Sequence, residues 1–211
     1  MQIAIVLYPG FTALDAIGPY EVLRFLPDSE VCFVAHRTGP VTADSGVLTL
    51  QATHTFEETP KPDIVVIPGS DITTVQNASE EVLLSWVRKV HQSSRFTLSV
   101  CTGALILGAA GLLWNCPATT HWYAMDALAE YGALPQKGQR IVTCGSLITA
   151  AGVSAGIDLG LHVVMELAGR EEAERIQLIL EYDPEPPVSS GHPDKASRAV
   201  VDQALKRLTD I

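Results

Sequence analysis

One cysteine stands between an apolar, β-branched run and a run of small residues: Cys101 follows FTLSV and precedes TGALILGAAGLL. A strand that ends on a nucleophile and turns directly into a helix lifts the side chain off the sheet edge and sets it beside unpaired helix N–H groups. Those donors and the helix dipole favour a thiolate, so Cys101 is expected to titrate below the usual value of about 8.5 for a free thiol. From the local pattern alone, a buried and inert cysteine fits about equally well. Cys32 lies inside a strand-like run, Cys116 precedes Pro117, and Cys144 sits in a Thr-Cys-Gly turn. None of these has a comparable setting, and without a CxxC pair the spacing indicates neither a zinc site nor a disulfide scaffold.

Asp15 comes after the first apolar run, in a segment expected to be a loop ending at Gly18-Pro19. A carboxyl group beside a thiolate is pushed toward its protonated form, and a protonated carboxyl can donate a proton or a hydrogen bond. Asp15 is therefore a candidate general acid and base, against the plainer reading of a helix-start aspartate; Glu21 reads as a capping partner. The PGS at Pro68–Ser70 ends another apolar run, and backbone N–H groups at Gly69 and Ser70 could face a reacting centre as anion donors. Thr102, next to the cysteine, offers a hydroxyl and an N–H to the same spot. The histidines show no paired metal spacing, and His121 in TTHWY reads as a helix opener; no metal is expected.

These residues need a scaffold that gathers them. Short apolar runs alternate with segments of helical period, the signature of an α/β protein around a largely parallel sheet. Strands are expected at Ile3–Leu7, Val31–Ala35, Ile64–Ile67, Phe96–Val100, Arg140–Thr143 and Leu147–Ala150. Helices are expected at Pro19–Leu26, Glu80–Gln92, Gly103–Leu112, His121–Tyr131, Ala155–Leu167, Glu171–Leu180 and Lys195–Leu208. Pro19 suits a first helical position, and Ser79 and Ser154 suit N-caps. VTADSGVLTL at Val41–Leu50 reads as a hairpin, and the proline-rich stretch Tyr182–Pro193 as a surface loop. Open α/β sheets bind ligands outside the carboxyl ends of their parallel strands. Position alone then selects Tyr8, Pro9, Gly10, Asp15, Pro68, Gly69, Ser70, Asp71, Cys101, Thr102 and the run from Ala151 to Ser154.

At 211 residues, a single domain over 1–211 is expected, and 47% hydrophobic with 18% charged residues suits a folded chain. A net charge of -10 argues against nucleic acid as a partner, since phosphate binding depends on Lys and Arg. The amino terminus has neither a basic region nor a long apolar run, so no signal peptide or membrane span is expected. The cysteine usage suggests the cytoplasm.

Taken in order, IVLYPGFTALDAIGPYEVL, VIPGS, VCTGALILGAAGLL, ATTHW and ITAAGVSAGIDLGLHVV resemble the DJ-1/PfpI superfamily, and more narrowly its isonitrile hydratase branch. The resemblance runs from Ile3 to about Leu180. It implies a flavodoxin-like three-layer sandwich, a homodimer, and Cys101 at a nucleophile elbow. Peptidase-like and several glyoxalase-like relatives carry a histidine directly after the nucleophile, where this chain has Thr102. Thr102 and Asp15 both match the isonitrile hydratase pattern, in which an aspartate stands where many relatives have a glutamate. The resemblance further implies thiolate attack by Cys101 on an isonitrile, proton delivery by Asp15, and orientation of water by Thr102 near Gly69 and Ser70, with no cofactor. Ile17, Trp122 and Val153 are expected to line the pocket for this small-molecule substrate. Glyoxalase-like or deglycase-like chemistry and a non-catalytic redox or ligand sensor are the alternatives. Sensor domains of AraC-type regulators share the GPYEVL-like and SAGIDL-like segments but carry a further helix-turn-helix region, for which no room is expected before Ile211.

Overall fold

The computed structural model describes residues 1–70, 74–77 and 79–209; Asp71 and Ile211 lie outside the described residues. In chain order the first half comprises β1 (Gln2–Val6), α1 (Ala13–Leu23), β2 (Glu30–Ala35), β3 (Gly39–Thr42), β4 (Thr49–Ala52), β5 (His54–Thr55), β6 (Ile64–Ile67), α2 (Thr74–Asn77) and α3 (Glu81–His91). The second comprises β7 (Phe96–Val100), α4 (Gly103–Ala109), β8 (Pro117–Ala118), α5 (Ala127–Glu130), β9 (Leu134–Pro135), β10 (Ile141–Cys144), β11 (Leu147–Ala150), α6 (Ala155–Ala168), α7 (Arg170–Ile179) and α8 (Arg198–Thr209).

The central sheet runs β10-β11-β7-β6-β1-β2-β5, parallel except for the β10–β11 hairpin at one edge. Strands β6 and β11 are buried at every position, as continuous apolar runs require when helices cover both faces. Helix α1 packs against α6 and α3 against α4, giving a flavodoxin-like arrangement of helices, sheet and helices. The chain leaves β1 for β2 on one side and returns to β6 on the other. Strand order therefore reverses between β1 and β6, where the carboxyl ends of an open sheet form a crevice.

Helix α1 begins at Ala13, well before the expected start at Pro19, so Asp15 stands in its first turn rather than in a loop. Pro19 lies inside the helix and cannot donate to the Asp15 carbonyl one turn earlier. Close packing on α6 holds the interrupted helix in place. A methyl group on Gly156 would come within 2.9 Å of Pro19 Cδ, and one on Gly160 within 2.7 Å of Val22 Cβ.

Other boundaries shift as well. The expected hairpin forms as β3 and β4, joined through the 43–48 turn. The expected His121–Tyr131 helix is instead a 3-10 turn at Trp122–Ala124 followed by the short α5. Ser154 occupies an N-cap position without a side-chain cap bond, and the N-cap of α3 is Glu80 rather than Ser79.

The expectation that no disulfide forms is overturned: Cys116 and Cys144 are bonded, with Cα atoms 5.9 Å apart. The bond ties the segment before β8 to the end of β10, elements 28 residues apart whose adjacency no local motif announces. Closing a loop of that length restricts the unfolded chain by about 2–4 kcal/mol. Replacing both cysteines by serine should lower the thermal midpoint by roughly 5–15 °C. Calorimetry with and without a dithiol reductant checks this, since reduction of the native chain should produce the same drop.

Among the described residues no helix is long and apolar enough to cross a membrane.

Candidate active site

Cys101 follows β7 with a φ of 57°, in the left-handed region that few non-glycine residues occupy. Its N–H donates to the carbonyls of Ala150 and Ala151, at 3.1 and 3.0 Å, which holds the turn against the end of β11. On the other side, α4 starts so close to β6 that a methyl group on Gly103 would stand 2.2 Å from the Ile67 carbonyl oxygen. Gly69 is equally constrained, because a methyl group there would lie 2.4 Å from Thr102 Oγ1. The small residues around the cysteine are thus required by backbone approach, and the result is the expected strand-nucleophile-helix elbow.

The sulfur is nearly enclosed, with Cys101 only 4% exposed. Here the expected depression of its pKa is corrected. Burial pushes the thiol well above its ordinary value, and the negative charge of Asp15 pushes it further. The N–H groups of Val153 and Thr102 and the Thr102 hydroxyl favour the thiolate, without outweighing burial. An elbow supplies donors, but it also removes water.

Asp15 is fully buried and accepts a hydrogen bond from the Gly69 N–H at 2.9 Å. The Gly69 carbonyl in turn accepts from the Thr12 N–H at 2.8 Å. The PGS turn therefore positions the carboxyl group. The Ser70 N–H donates to Thr74 Oγ1 and Thr102 Oγ1, both at 3.0 Å. Both amides expected to serve as anion donors are thus committed to side chains of the site. The Val153 N–H, first among the donors that favour the thiolate, belongs to a β-branched residue held at φ 38°. Such a conformation is strained.

The structure joins Asp15, Gly69, Ser70 and Thr102 through these contacts, beside the elbow at Cys101 and the turn at Val153 that follows β11. Ile17 and Trp122 stand outside the hydrogen-bonded cluster. Ile17 is half-buried on α1, and Trp122 lines a cavity of about 100 Å³ with residues of the carboxy-terminal segment, among them His192, Pro193 and Val200.

Three further residues reach the site without having been given a chemical role from sequence. Tyr8, just past β1, is buried, and its hydroxyl donates to the Pro68 carbonyl at 2.7 Å. Burial and then the Asp15 charge raise its pKa well above the ordinary tyrosine value. Thr120 Oγ1 donates to the Cys101 carbonyl at 2.8 Å. His121 covers Gly152, where a methyl group would lie 2.2 Å from His121 Cδ2. Position after β1 marked Tyr8; Thr120 and His121 reach the site from a loop that no strand-end rule selects.

Burial lowers His121 from 6.5 to about 4, so its ring is neutral at neutral pH. Between those two values the unfolded chain binds a proton that the native chain does not, and stability rises with pH across that window. Acidification should remove on the order of 2–3 kcal/mol from this group alone. Urea unfolding of the native chain and of His121→Phe at pH 4 and pH 7 checks this: the variant should lose less stability on acidification.

A family model described as the DJ-1/PfpI family matches residues 1–166. Over 207 residues the chain is 45% identical to an isonitrile hydratase of Pseudomonas putida, covering 98% of this chain and 90% of that protein. It is 30% identical over 177 residues to the HTH-type transcriptional regulator CdhR of Pseudomonas aeruginosa, covering 81% of this chain and 52% of the regulator. The chain thus spans about half of that relative. Among solved structures, a THiJ/PfpI family protein from Pseudomonas syringae matches with a TM-score of 0.94 at 38% identity, covering 99% of this chain and 86% of that one. Drosophila melanogaster DJ-1beta matches with a TM-score of 0.75 at 18% identity, covering 85% of this chain and 97% of that one, a likeness of fold. With its elbow cysteine and its reversal of strand order at the site, the chain belongs to the DJ-1/PfpI family.

Proposed function

We propose that this protein hydrates isonitriles to N-substituted formamides through a Cys101 thiolate, as a cofactor-independent lyase. The observation that carries the reading is the buried grouping of Cys101, Asp15 and Thr102 at the crevice between β1, β6 and β7. The extensive identity to an isonitrile hydratase supports it. Thr102 in the place after the nucleophile leaves no Cys-His pair at that position, which weighs against peptidase-like chemistry.

An isonitrile, R–N≡C, has a terminal carbon open to attack by a soft nucleophile. Sulfur bonds to that carbon while Asp15 delivers a proton to the same carbon, leaving the thioimidate Cys101–S–CH=N–R. Asp15, now a carboxylate, takes a proton from water as the oxygen adds to this carbon. Asp15 passes that proton to the nitrogen, the C–S bond breaks as the new hydroxyl returns its proton to the sulfur and carboxyl pair, and R–NH–CHO leaves with the thiol restored. The sum is one isonitrile and one water consumed for one formamide.

The raised pKa of Cys101 has a place in this sequence. Sulfur and carboxyl group share a low-dielectric site in which both do not readily carry charge, so one acidic proton is available to the pair. The Gly69 N–H holds the carboxyl group, and the Val153 and Thr102 donors favour the thiolate. Ile17 and Trp122 belong to the proposed substrate surroundings as apolar wall. We place the chain as one domain over 1–211 and as a homodimer in the cytoplasm, where the Cys116–Cys144 pair would spend much of its time as two thiols.

Incubation with cyclohexyl isocyanide under a dithiol reductant, with formamide absorbance as the readout, tests the reading. Steady formamide production supports it. No turnover with Cys101 shown to be reduced would overturn it.

A further inference from the structure

Val153 stands at φ 38° in the turn from β11 to α6, and a β-branched residue in that conformation relaxes unless its neighbours hold it. Arg140, the residue before β10, grips this turn on both sides. Its carbonyl accepts from the Ala151 N–H at 2.8 Å, two residues before Val153. Its guanidinium donates through Nη2 to Ser154 Oγ at 3.2 Å, one residue after Val153, and through Nε to Asp158 Oδ2 at 2.5 Å in the first turn of α6. The Tyr182 hydroxyl donates to Asp158 Oδ1 at 3.1 Å, so both oxygens of that carboxylate are engaged.

Ser154 occupies the N-cap position of α6, where a serine oxygen ordinarily accepts from a helix N–H. Here it makes no such bond and accepts from Arg140 instead. Backbone and side chain of Arg140 thereby close a ring around Ala151, Gly152, Val153 and Ser154. The Arg140 and Asp158 side chains are 48% and 29% exposed, and an ion pair so open to water adds little to global stability. What the ring fixes is local. The carbonyls of Ala150 and Ala151, on the near side of the turn, accept from the Cys101 N–H at 3.1 and 3.0 Å, so a shift of the turn is a shift of the elbow.

We infer that Arg140 is a positioning residue: bonded to Ala151 through its carbonyl and to Ser154 and Asp158 through its guanidinium, it holds the strained Val153 turn closed on the Cys101 elbow. This rests on the reading of Cys101 as the reacting residue. Two properties then set Arg140 apart from an ordinary surface ion pair. Its loss acts on Cys101 out of proportion to stability, and the effect disappears once the strain is removed, since glycine occupies positive φ freely.

The test is the rate of Cys101 alkylation by iodoacetamide at pH 8, read as modified Cys101 peptide by mass spectrometry on the reduced full chain. Cys101 is 4% exposed, so the reagent waits on local opening. Arg140→Gln, too short to span Ser154 and Asp158, should raise the rate by roughly 3- to 10-fold and leave the thermal midpoint within about 2 °C of native. Compared with Val153→Gly alone, adding Arg140→Gln should change the rate by less than about 2-fold, because no strain remains to release. In the hydration assay Arg140→Gln should lower kcat while KM stays within about 2-fold of native. Should Arg140→Gln fail to fold, Ser154→Ala opens the same ring and gives the same readout. An alkylation rate unchanged or lowered, an equal increase in the Val153→Gly background, or a hydration defect confined to KM would each overturn the assignment. Alkylation needs no isonitrile, so failure of hydration would remove the proposed function and leave the alkylation result standing by itself.

Discussion

Cys101→Ala is expected to lower isonitrile turnover by roughly 10⁴-fold or more while leaving the fold intact, because loss of a nucleophile removes the covalent route altogether. The substitution removes one sulfur from a site where the backbone is already held at φ 57° by carbonyls of β11 and its exit, so the elbow itself should persist. Near-ultraviolet circular dichroism and the thermal midpoint check the fold; formamide absorbance checks the rate. Cys101→Ser should rescue little, since a hydroxyl in the same enclosed site ionises far less readily than a thiol. Activity near the native level in Cys101→Ala would remove every thiolate mechanism, whatever the substrate.

Asp15→Asn separates two roles that truncation would confuse. The amide keeps an oxygen to accept from the Gly69 N–H, so the PGS turn should stay in place. It cannot carry the proton, and turnover should fall by about 10²- to 10⁴-fold. At the same time Cys101 loses the negative neighbour that raises its pKa. Its reactivity toward iodoacetamide near pH 7 should therefore increase while hydration decreases. A residue that served only to cap the start of α1 would leave turnover largely unchanged, so the opposed movement of the two rates is diagnostic. Parallel rate measurements on the native chain and the variant read both.

The parts of this site that sequence made legible are those set by continuous burial. β6, β7 and β11 fall where Ile64–Ile67, Phe96–Val100 and Leu147–Ala150 were expected, because runs of apolar residues between turns leave few other ways to be buried on both faces. Their carboxyl ends then brought Gly69, Ser70, Cys101, Thr102 and Val153 into view without any contact being known. The illegible parts depend on tertiary neighbours. Pro19 read as a helix start, yet packing on Gly156 and Gly160 carries α1 through it and moves Asp15 into a helical turn. Cys116 and Cys144 share no local motif and meet only because β10 passes the segment before β8. The direction of the Cys101 pKa went the other way because helix donors are visible in a local pattern and the degree of enclosure is not. The use of the Gly69 and Ser70 amides for Asp15, Thr74 and Thr102 likewise depends on residues that converge across the sheet.

The raised thiol pKa and the buried acid sharpen the role of Cys101. The resting site is protected by burial, and the thiolate is expected to be consumed as it forms, in concert with proton delivery from Asp15. The most direct measurement is the mass of the Cys101 peptide after acid quenching within milliseconds of mixing the reduced protein with cyclohexyl isocyanide. A gain equal to one whole isonitrile at Cys101, rising and then decaying as formamide accumulates, is the predicted result. Formamide production that continues after Cys101 has been fully blocked by iodoacetamide, with no adduct at that residue, would contradict the account.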